Sequence, residues 1–191
     1  MDNLGLIIII GVIIVVVIAL ISLYNGLVQK RLRVDEAFAQ IEVQLKRRHD
    51  LIPNLVETVK GYARHEQATL EAVLAARARA ESHHDSPKAQ AADENRLVSS
   101  LGGLFALAEG YPDLKADRHF LELQRELVNT EDRIQAARRI YNGNVRDLNR
   151  RVQSIPSNLV AKLFGFTEAD YFEIEQALRT AGPPAVDAGR A

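Results

Sequence analysis

Hydrophobic residues divide the chain into one unbroken apolar stretch and a longer region of periodic pattern. Residues 4–23 carry no charged side chain, and sixteen of these twenty are Leu, Ile or Val. A helix of this length rises about 30 Å, which is the thickness of the hydrocarbon layer of a bilayer. Twelve of the twenty are β-branched, but lipid favours the helix because an isolated strand would leave its backbone amides unbonded. The pattern predicts a transmembrane anchor over residues 1–23.

A cleavable signal peptide is the alternative interpretation of this stretch. Such a peptide has a basic N-terminal region, an apolar core of about 7–15 residues and a small-residue cleavage site. The residues before the apolar core include Asp2 and no Lys or Arg, and Ala19-Leu20-Ile21-Ser22 is a poor cleavage site. We therefore expect the anchor to be retained.

The residues that follow the anchor suggest its orientation. Tyr24 stands where an interfacial aromatic residue is expected, and Lys30, Arg31 and Arg33 follow it, whereas no basic residue precedes the span. Positive charges favour the cytoplasmic side. We expect a single-pass protein of the inner membrane, with Met1 outside and the remaining chain in the cytoplasm. The same three cations can bind an anionic leaflet at about 1 kcal/mol each.

Helical periodicity continues beyond the anchor and predicts an all-α fold, with an antiparallel bundle of long amphipathic helices over residues 24–180. Arg48 fills one position of an apolar stripe. Pro53 allows two interpretations: Asp50 caps a new helix, or one long helix kinks at the proline. The stripe consists of Val34, Phe38, Ile41, Leu45, Ile52, Leu55, Val59 and Tyr62.

Turn residues divide the rest of the bundle. A polar loop at 81–87 precedes a helix over about 88–109, in which Gly102-Gly103 suggests a close helix crossing. A turn at 110–113 leads to a long helix over about 117–153 with a heptad-like seam. Ser157 caps a helix that ends at Gly165, and Thr167 caps another. Residues 181–191 are predicted to form a disordered tail.

Overall composition excludes several functional classes. With 24 Lys+Arg against 25 Asp+Glu, the chain is no generic polycation, and we expect no nucleic-acid partner. It has no Cys, which excludes disulfides, thiolate metal sites and cysteine nucleophiles. No nucleotide-binding or hydrolase fingerprint occurs.

The histidines raise the question of a metal site. A di-metal helical bundle needs paired Glu-x-x-His motifs, and here the only match is Glu81-Ser82-His83-His84 in a loop. We expect solvated histidines, with no metal and no cofactor. The residues concerned are His49, His65, His83, His84 and His119.

A second basic cluster spans Lys46 to His49. In a continuous helix it lies about 36 Å beyond Leu23, farther than the Debye length of about 8 Å. We expect a solvated helix face. A partner contact, or a membrane contact if the chain folds back at Pro53, is the alternative.

Polar residues near the helix seams form a candidate interior polar layer that would fix the helix register. A ligand pocket between helices is the alternative, although the sequence shows no convergence of these groups on one point. The layer consists of Asn54, Glu66, Arg77, Glu131, Arg138, Tyr141 and Asn142.

Several motifs, in order, resemble the LemA family of bacterial membrane proteins. They are YNGLV at 24–28, QLKRRHDLIPNLV at 44–56, GYARHE at 61–66, AEGYPDLK at 108–115, TEDRI at 130–134, ARRIYN at 137–142, PSN at 156–158 and FGF at 164–166. Two departures are Leu148-Asn149, where the family has a second Tyr-Asn pair, and the ending Ala185 to Ala188, which lacks the expected apolar residues.

The resemblance implies one N-terminal span, an antiparallel helical bundle and no established enzymatic activity. Our leading hypothesis is a non-enzymatic scaffold that binds the bilayer and either a protein partner or further copies of itself. One alternative is a membrane-remodelling or envelope-stress protein that acts on the bilayer. A less favoured alternative is a metal-dependent hydrolase that uses Glu66 and the histidines.

Overall fold

The computed structural model describes residues 2–173, with side chains from residue 5 onward. Within this range the chain is all-α, with no strand, as predicted. Its helices are α1 (Asp2–Tyr62), α2 (Gln67–Ala80), α3 (Pro87–Ala108), α4 (Pro112–Ala116), α5 (Arg118–Gln153) and α6 (Ser157–Phe164).

The chain forms two compact units, and α1 and α5 contribute segments to both. We call the first the anchor unit; it comprises residues 2–40 and 137–171. We call the second the cluster unit; it comprises residues 41–136 and 172–173 of the described range.

The apolar stretch forms the first part of α1, as predicted. Its best 18-residue window has a mean hydropathy of 3.6, and no part of it is buried by protein. This helix is long and apolar enough to cross a membrane once.

One long helix passes through Pro53 without reversing. The interpretation in which Asp50 caps a new helix is therefore wrong. The chain reverses ten residues later, at 63–66, where the Glu66 N–H donates to the Ala63 carbonyl (3.2 Å). The preceding Gly61 weakens the helix end by about 1 kcal/mol relative to Ala. The sequence pattern indicated Pro53 as the possible break in this stretch and did not predict this turn.

Local side chains account for other helix ends, although the predicted cap Ser157 is wrong: it is the first residue of α6, and its hydroxyl donates to the Arg151 (2.7 Å) and Ser154 (2.9 Å) carbonyls instead of accepting a helix N–H. Ser86 accepts the Ala89 N–H (3.2 Å) at the start of α3, where Pro87 occupies the first turn. Asp117 accepts the Phe120 N–H (2.9 Å) at the start of α5. This backbone hydrogen bond is the main cause of the lowered pKa of Asp117. Gly165 ends α6 with a φ of 71°, a conformation that glycine adopts without strain.

Two local predictions are wrong. Residues 166–173 are not helical, so Thr167 does not start a helix there; the remainder of that predicted helix and the tail at 181–191 lie outside the described residues. A Cβ at Gly102 or Gly103 would meet nothing within 4 Å, so no described segment crosses closely at this pair. The turn predicted at 110–113 contains the start of α4.

Each unit has its own buried apolar residues. In the cluster unit they lie on α1, α2, α3, α4 and α5, and each fully buried Leu, Ile or Val contributes about 1.5–3 kcal/mol. They include Ile52, Leu55, Val59, Val73, Leu97, Leu101, Leu104, Leu114 and Leu127. In the anchor unit the buried residues include Leu27, Val34, Val145, Leu148, Val160 and Ala161.

Candidate functional site: a buried ionic cluster

An arginine with no solvent exposure lies at the centre of the cluster unit. Arg48 of α1 donates from Nη1 to Glu131 Oε2 of α5 (2.8 Å). Its Nη2 donates to Glu94 Oε2 of α3. Arg48 and Glu94 are completely buried, and Glu131 is nearly so. One guanidinium therefore connects three helices through two carboxylates.

His49 extends the cluster to the other oxygen of Glu94. Its Nε2 lies 3.0 Å from Glu94 Oε1, within hydrogen-bond distance. On the far side, Gln135 Nε2 donates to Glu131 Oε1 (2.7 Å). Both carboxylates therefore use both of their oxygens. The four ionisable side chains comprise one guanidinium, two carboxylates and one imidazole.

The backbone beside the cluster explains how α1 tolerates Pro53. A proline has no N–H, so the carbonyl four residues earlier, that of His49, loses its helical donor. Arg77 of α2 supplies the replacement, because its Nε donates to the His49 carbonyl (2.8 Å). Its Nη2 also pairs with Glu81 at 2.9 Å. The proline thus creates an acceptor that joins α2 to α1.

The arrangement is closed to solvent, which limits its chemistry. Two polar atoms of the cluster, Arg48 Nε and Gln135 Oε1, have no hydrogen-bond partner. Both are buried, so neither is open to solvent. Removing one partner of a buried ion pair typically costs about 3–5 kcal/mol, since the other charge stays buried and uncompensated. The geometry is suited to fixing the alignment of helices.

The sequence carried a signal for this cluster that the prediction did not use. Arg48 stands at a position where the stripe calls for an apolar residue, and Glu94 lies three residues from Ala91 and Leu97 on the buried face of α3. A charge on a buried stripe requires a partner of opposite sign. Each break in the apolar pattern therefore indicates a buried charge that needs a partner, without naming that partner.

The predicted polar layer is only partly interior. Glu131 and Tyr141 are buried, whereas Arg77, Arg138 and Asn142 are half-buried. The structure brings Arg77 and Glu131 to the cluster. Tyr141, Arg138 and Asn142 belong to the anchor unit.

Asn54 and Glu66 lie apart from the buried cluster. Asn54 is exposed, because it projects away from the face of α1 that buries Ile52 and Leu55. It lines a shallow groove of about 400 Å³ together with His119 and Glu122. Glu66 is half-buried and accepts a long hydrogen bond from the Tyr111 hydroxyl (3.4 Å). The placement of Asn54 in an interior layer is therefore corrected.

The predicted solvated face at 46–49 is also only partly correct. Lys46 and Arg47 are exposed and pair with Asp50 (3.2 Å) and Glu126 (2.7 Å). Arg48 and His49 are buried instead. A helix that packs along one side necessarily turns part of a run of four residues inward.

The histidines fall into two groups. His65, His83 and His119 are exposed. His84 is largely buried and its Nε2 lies 3.0 Å from Asp93 Oδ2; this hydrogen bond is the main cause of the lowered pKa of Asp93. The expectation of solvated histidines is wrong for His49 and His84. No group of three or more His, Asp or Glu in residues 2–173 is arranged to hold a metal ion.

The predicted membrane-interface residues lie in the anchor unit. Tyr24 packs against Phe164 and Phe166, with ring centroids 4.8 and 5.8 Å apart. Lys30 pairs with Asp147 at 2.6 Å, and its hydrogen bond is the main cause of the lowered pKa of Asp147. Arg31 and Arg33 are exposed. All four residues follow the span along α1, and their interfacial role stays a prediction.

Buried polar side chains of the anchor unit contact backbone. The Tyr141 hydroxyl donates to the Asp170 carbonyl (2.7 Å), and burial raises the pKa of Tyr141 to about 12. Asn149 makes two hydrogen bonds to Ala169, accepting its N–H (2.8 Å) and donating to its carbonyl (3.0 Å). These contacts hold residues 169–170 against α5.

The LemA family model matches residues 37–187. The chain belongs to the LemA family. Protein LemA of Metamycoplasma hominis is 26% identical over 156 residues, which cover 81% of this chain and 71% of that protein. The earlier motif resemblance is thereby confirmed.

Shorter similarities extend to magnetosome proteins. Magnetosome protein MamQ 2 of Paramagnetospirillum magneticum is 33% identical over 79 residues, which cover 41% of this chain and 29% of that protein. Magnetosome protein MamQ of Magnetospirillum gryphiswaldense is 29% identical over a segment of the same length. The matched segment thus covers less than a third of each magnetosome protein.

Proposed function

We propose that this LemA-family chain is a membrane-anchored, non-enzymatic scaffold whose helical bundle binds another protein or further copies of itself. The supporting observation is the buried ionic cluster. Its carboxylates, guanidinium and imidazole are occupied with one another and closed to solvent, so they hold helix register and leave no reactive group open to a substrate. Function then resides in the exposed helix faces.

Exposed apolar side chains of the cluster unit supply candidate contact positions. Val43 of α1, Leu74 of α2 and Val128 of α5 are 64%, 41% and 46% exposed. Buried contacts between proteins draw on such apolar groups at their centre, with charged residues at the rim. Gly5 and Gly11 in the span are six residues apart and do not form the Gly-x-x-x-Gly dimer motif. Self-association in this scheme runs through the soluble helices.

Cysteine crosslinking in native membranes tests the scaffold. The chain has no Cys, so single-cysteine variants carry no background. We expect Val43→Cys to crosslink, to itself or to one defined partner, several-fold more efficiently than Glu42→Cys, an exposed neighbour that differs in polarity. The proposal would be contradicted if Val43→Cys and Val128→Cys both crosslinked no better than Glu42→Cys and gave no defined product. The size of crosslinked products distinguishes self-association from a different partner.

The proposed location is the inner membrane, with the N-terminus outside and the bundle in the cytoplasm. Lys30, Arg31 and Arg33, which follow the span, support this orientation. Val43→Cys should resist a membrane-impermeant maleimide in intact spheroplasts and react after permeabilisation. Labelling of Val43→Cys in intact spheroplasts would show that the bundle lies outside the cytoplasm and would contradict the proposed orientation.

A second candidate function is action on the bilayer itself, as in membrane remodelling or envelope stress. The exposed apolar residues Leu159 and Leu163 of α6 favour it. Purified protein in vesicles would then change their shape under electron microscopy. Unchanged vesicles at high protein density would favour the scaffold alone.

A further inference from the structure

The short helix α6 presents large apolar side chains on its outer side. Leu159 and Leu163 are 65% and 76% exposed, and Ile155, just before the helix, is 83% exposed. The opposite face of α6 is already packed, because Val160 and Ala161 are buried. Leu159 and Leu163 are four residues apart and therefore share one face. The exposed apolar residues are therefore not the ones that pack α6 against the rest of the unit.

The register of α1 and α5 shows where this face lies. Phe38 packs against Tyr141, and the Asn144 side chain donates to the Arg33 carbonyl (3.0 Å). One turn further, Lys30 pairs with Asp147. The two helices are antiparallel here, so residues farther along α5 lie closer to the span.

Continuing that register brings the end of α5 to the membrane boundary. Gln153, its last residue, falls opposite Tyr24, the first residue after the span. The turn that carries Ile155 follows immediately. An independent contact agrees, because Tyr24 packs against Phe164 and Phe166 at the other end of α6. Both ends of α6 therefore lie at the height where the span leaves the hydrocarbon.

We propose that α6 and the turn before it lie on the bilayer surface beside the span, with Ile155, Leu159 and Leu163 inserted at the boundary between headgroups and acyl chains. An amphipathic helix in this position buries its apolar face to about 5–10 Å.

Charge supports lipid as the occupant. The cations Lys162, Arg150 and Arg151 are exposed on α6 and the last turn of α5. Arg31 and Arg33 are exposed on α1 beyond Tyr24. Basic residues beside inserted apolar groups are suited to anionic headgroups. The surface therefore combines a membrane-level position, exposed apolar groups and flanking positive charge.

Single tryptophans can test this contact in the full-length protein. The chain has no Trp, so each variant reports one position. Leu159→Trp and Leu163→Trp would be compared with Ile140→Trp in phosphatidylcholine–phosphatidylglycerol vesicles. Ile140 is an exposed apolar residue of the same unit. It lies about 20 Å before the end of α5, on the side away from the span. Lipids brominated along their acyl chains quench only tryptophans that reach the hydrocarbon.

We expect brominated lipid to quench Leu159→Trp and Leu163→Trp several-fold more than Ile140→Trp, and acrylamide to quench them less. Free access of acrylamide without quenching by brominated lipid would overturn the proposal. Shielding from both quenchers would also overturn it, because protein would then cover the face. That cover would be a second copy if the shielding decreases on dilution into excess lipid, and residues 174–191 if it does not.

The proposal rests on the membrane anchor, so a fourth variant distinguishes failure of the α6 contact from failure of the anchor. Val16→Trp lies within the span and should be quenched by brominated lipid whatever α6 does. Quenching of Val16→Trp alone would reject the α6 contact and keep the anchor. Absence of quenching at Val16 would reject the anchor itself.

Discussion

The cluster unit and the anchor unit use their buried polar side chains in different ways. In the cluster unit, Arg48, Glu94 and Glu131 pair side chain to side chain between helices. In the anchor unit, Tyr141 and Asn149 bond to the backbone of residues 169–170. The first arrangement joins regular helices, whereas the second holds a segment that has no helix of its own.

The difference follows from which groups need partners in each unit. Helices satisfy their own backbone, so only side chains can define their relative alignment, and opposite charges on three helices allow few registers. A non-helical segment leaves its N–H and C=O groups unpaired, and buried groups of that kind require a donor or acceptor. The amide and phenol supply them without adding a buried charge.

Removal of the central guanidinium should have the largest effect. Arg48→Met leaves Glu94 and Glu131 buried without the guanidinium that pairs with both, and we expect a loss of about 3–5 kcal/mol. Thermal unfolding in detergent measures it. The matched control Arg47→Met breaks an exposed pair with Glu126 and should cost less than about 1 kcal/mol. Equal losses in the two variants would remove the distinction between buried and exposed charges.

A fully apolar replacement sharpens the same point. Arg48→Met with Glu94→Leu and Glu131→Leu leaves no buried charge among the three positions but removes the hydrogen-bond partners of His49 and Gln135, so stability should recover part of the loss. If register is the role of the cluster, unfolding of this variant should be broader than that of the wild type. A sharp, unchanged transition would show that apolar packing alone sets the alignment.

The anchor unit should lose stability at alkaline pH through Tyr141. Its pKa rises from 10.0 to about 12 on folding because of burial. Below pH 10 the phenol is neutral in both the folded and the unfolded state, and its contribution to stability is complete. Between pH 10 and 12 the unfolded state ionises first, so the free energy of unfolding falls by about 3 kcal/mol at 1.36 kcal/mol per pKa unit. Tyr141→Phe lacks this titration. It should be the less stable form below pH 10, since it loses the hydrogen bond to Asp170, and the difference should reverse near pH 12. Parallel stability curves across this range would contradict the assignment.

Arg77→Leu should have a smaller effect that depends on Pro53. It removes the donor to the His49 carbonyl, and we expect a loss of about 1–2 kcal/mol. In a Pro53→Ala background the restored N–H can serve that carbonyl, so the same substitution should cost measurably less. A double-mutant cycle from unfolding curves tests the coupling. Glu81→Gln controls for the ion pair of Arg77, and additive effects would show that the proline and arginine act independently.

Asp147→Asn should have the smallest effect, because its pair with Lys30 is partly exposed. The hydrogen bond from Lys30 lowers the pKa of Asp147 from 3.8. The contribution is present above pH 3.8 and is lost as pH falls through the lower folded-state pKa. The difference in melting temperature between wild type and variant should therefore shrink in acid. A difference that grows in acid would contradict this role.

Local patterns in the sequence determined most of the helices. Capping by Ser86 and Asp117, and the left-handed end at Gly165, depend on neighbouring residues and were predictable within a residue or two. The apolar, uncharged stretch at 4–23 predicted a helix long enough to span a bilayer. The turn at 63–66 was missed because its residues, Ala63, Arg64, His65 and Glu66, contain neither Gly nor Pro.

Only the tertiary structure decided which polar residues meet. The sequence marked Glu131 as a seam residue, but its partner Arg48 is 83 positions away, and no local pattern relates the two. The sequence likewise left Pro53 open between a new helix and one long helix. The structure places Pro53 within α1, where Arg77 of α2 donates to the His49 carbonyl that the proline cannot serve. Periodicity reports which face of one helix is buried; the atoms on the other side of that face belong to distant segments, and folding alone brings them into contact.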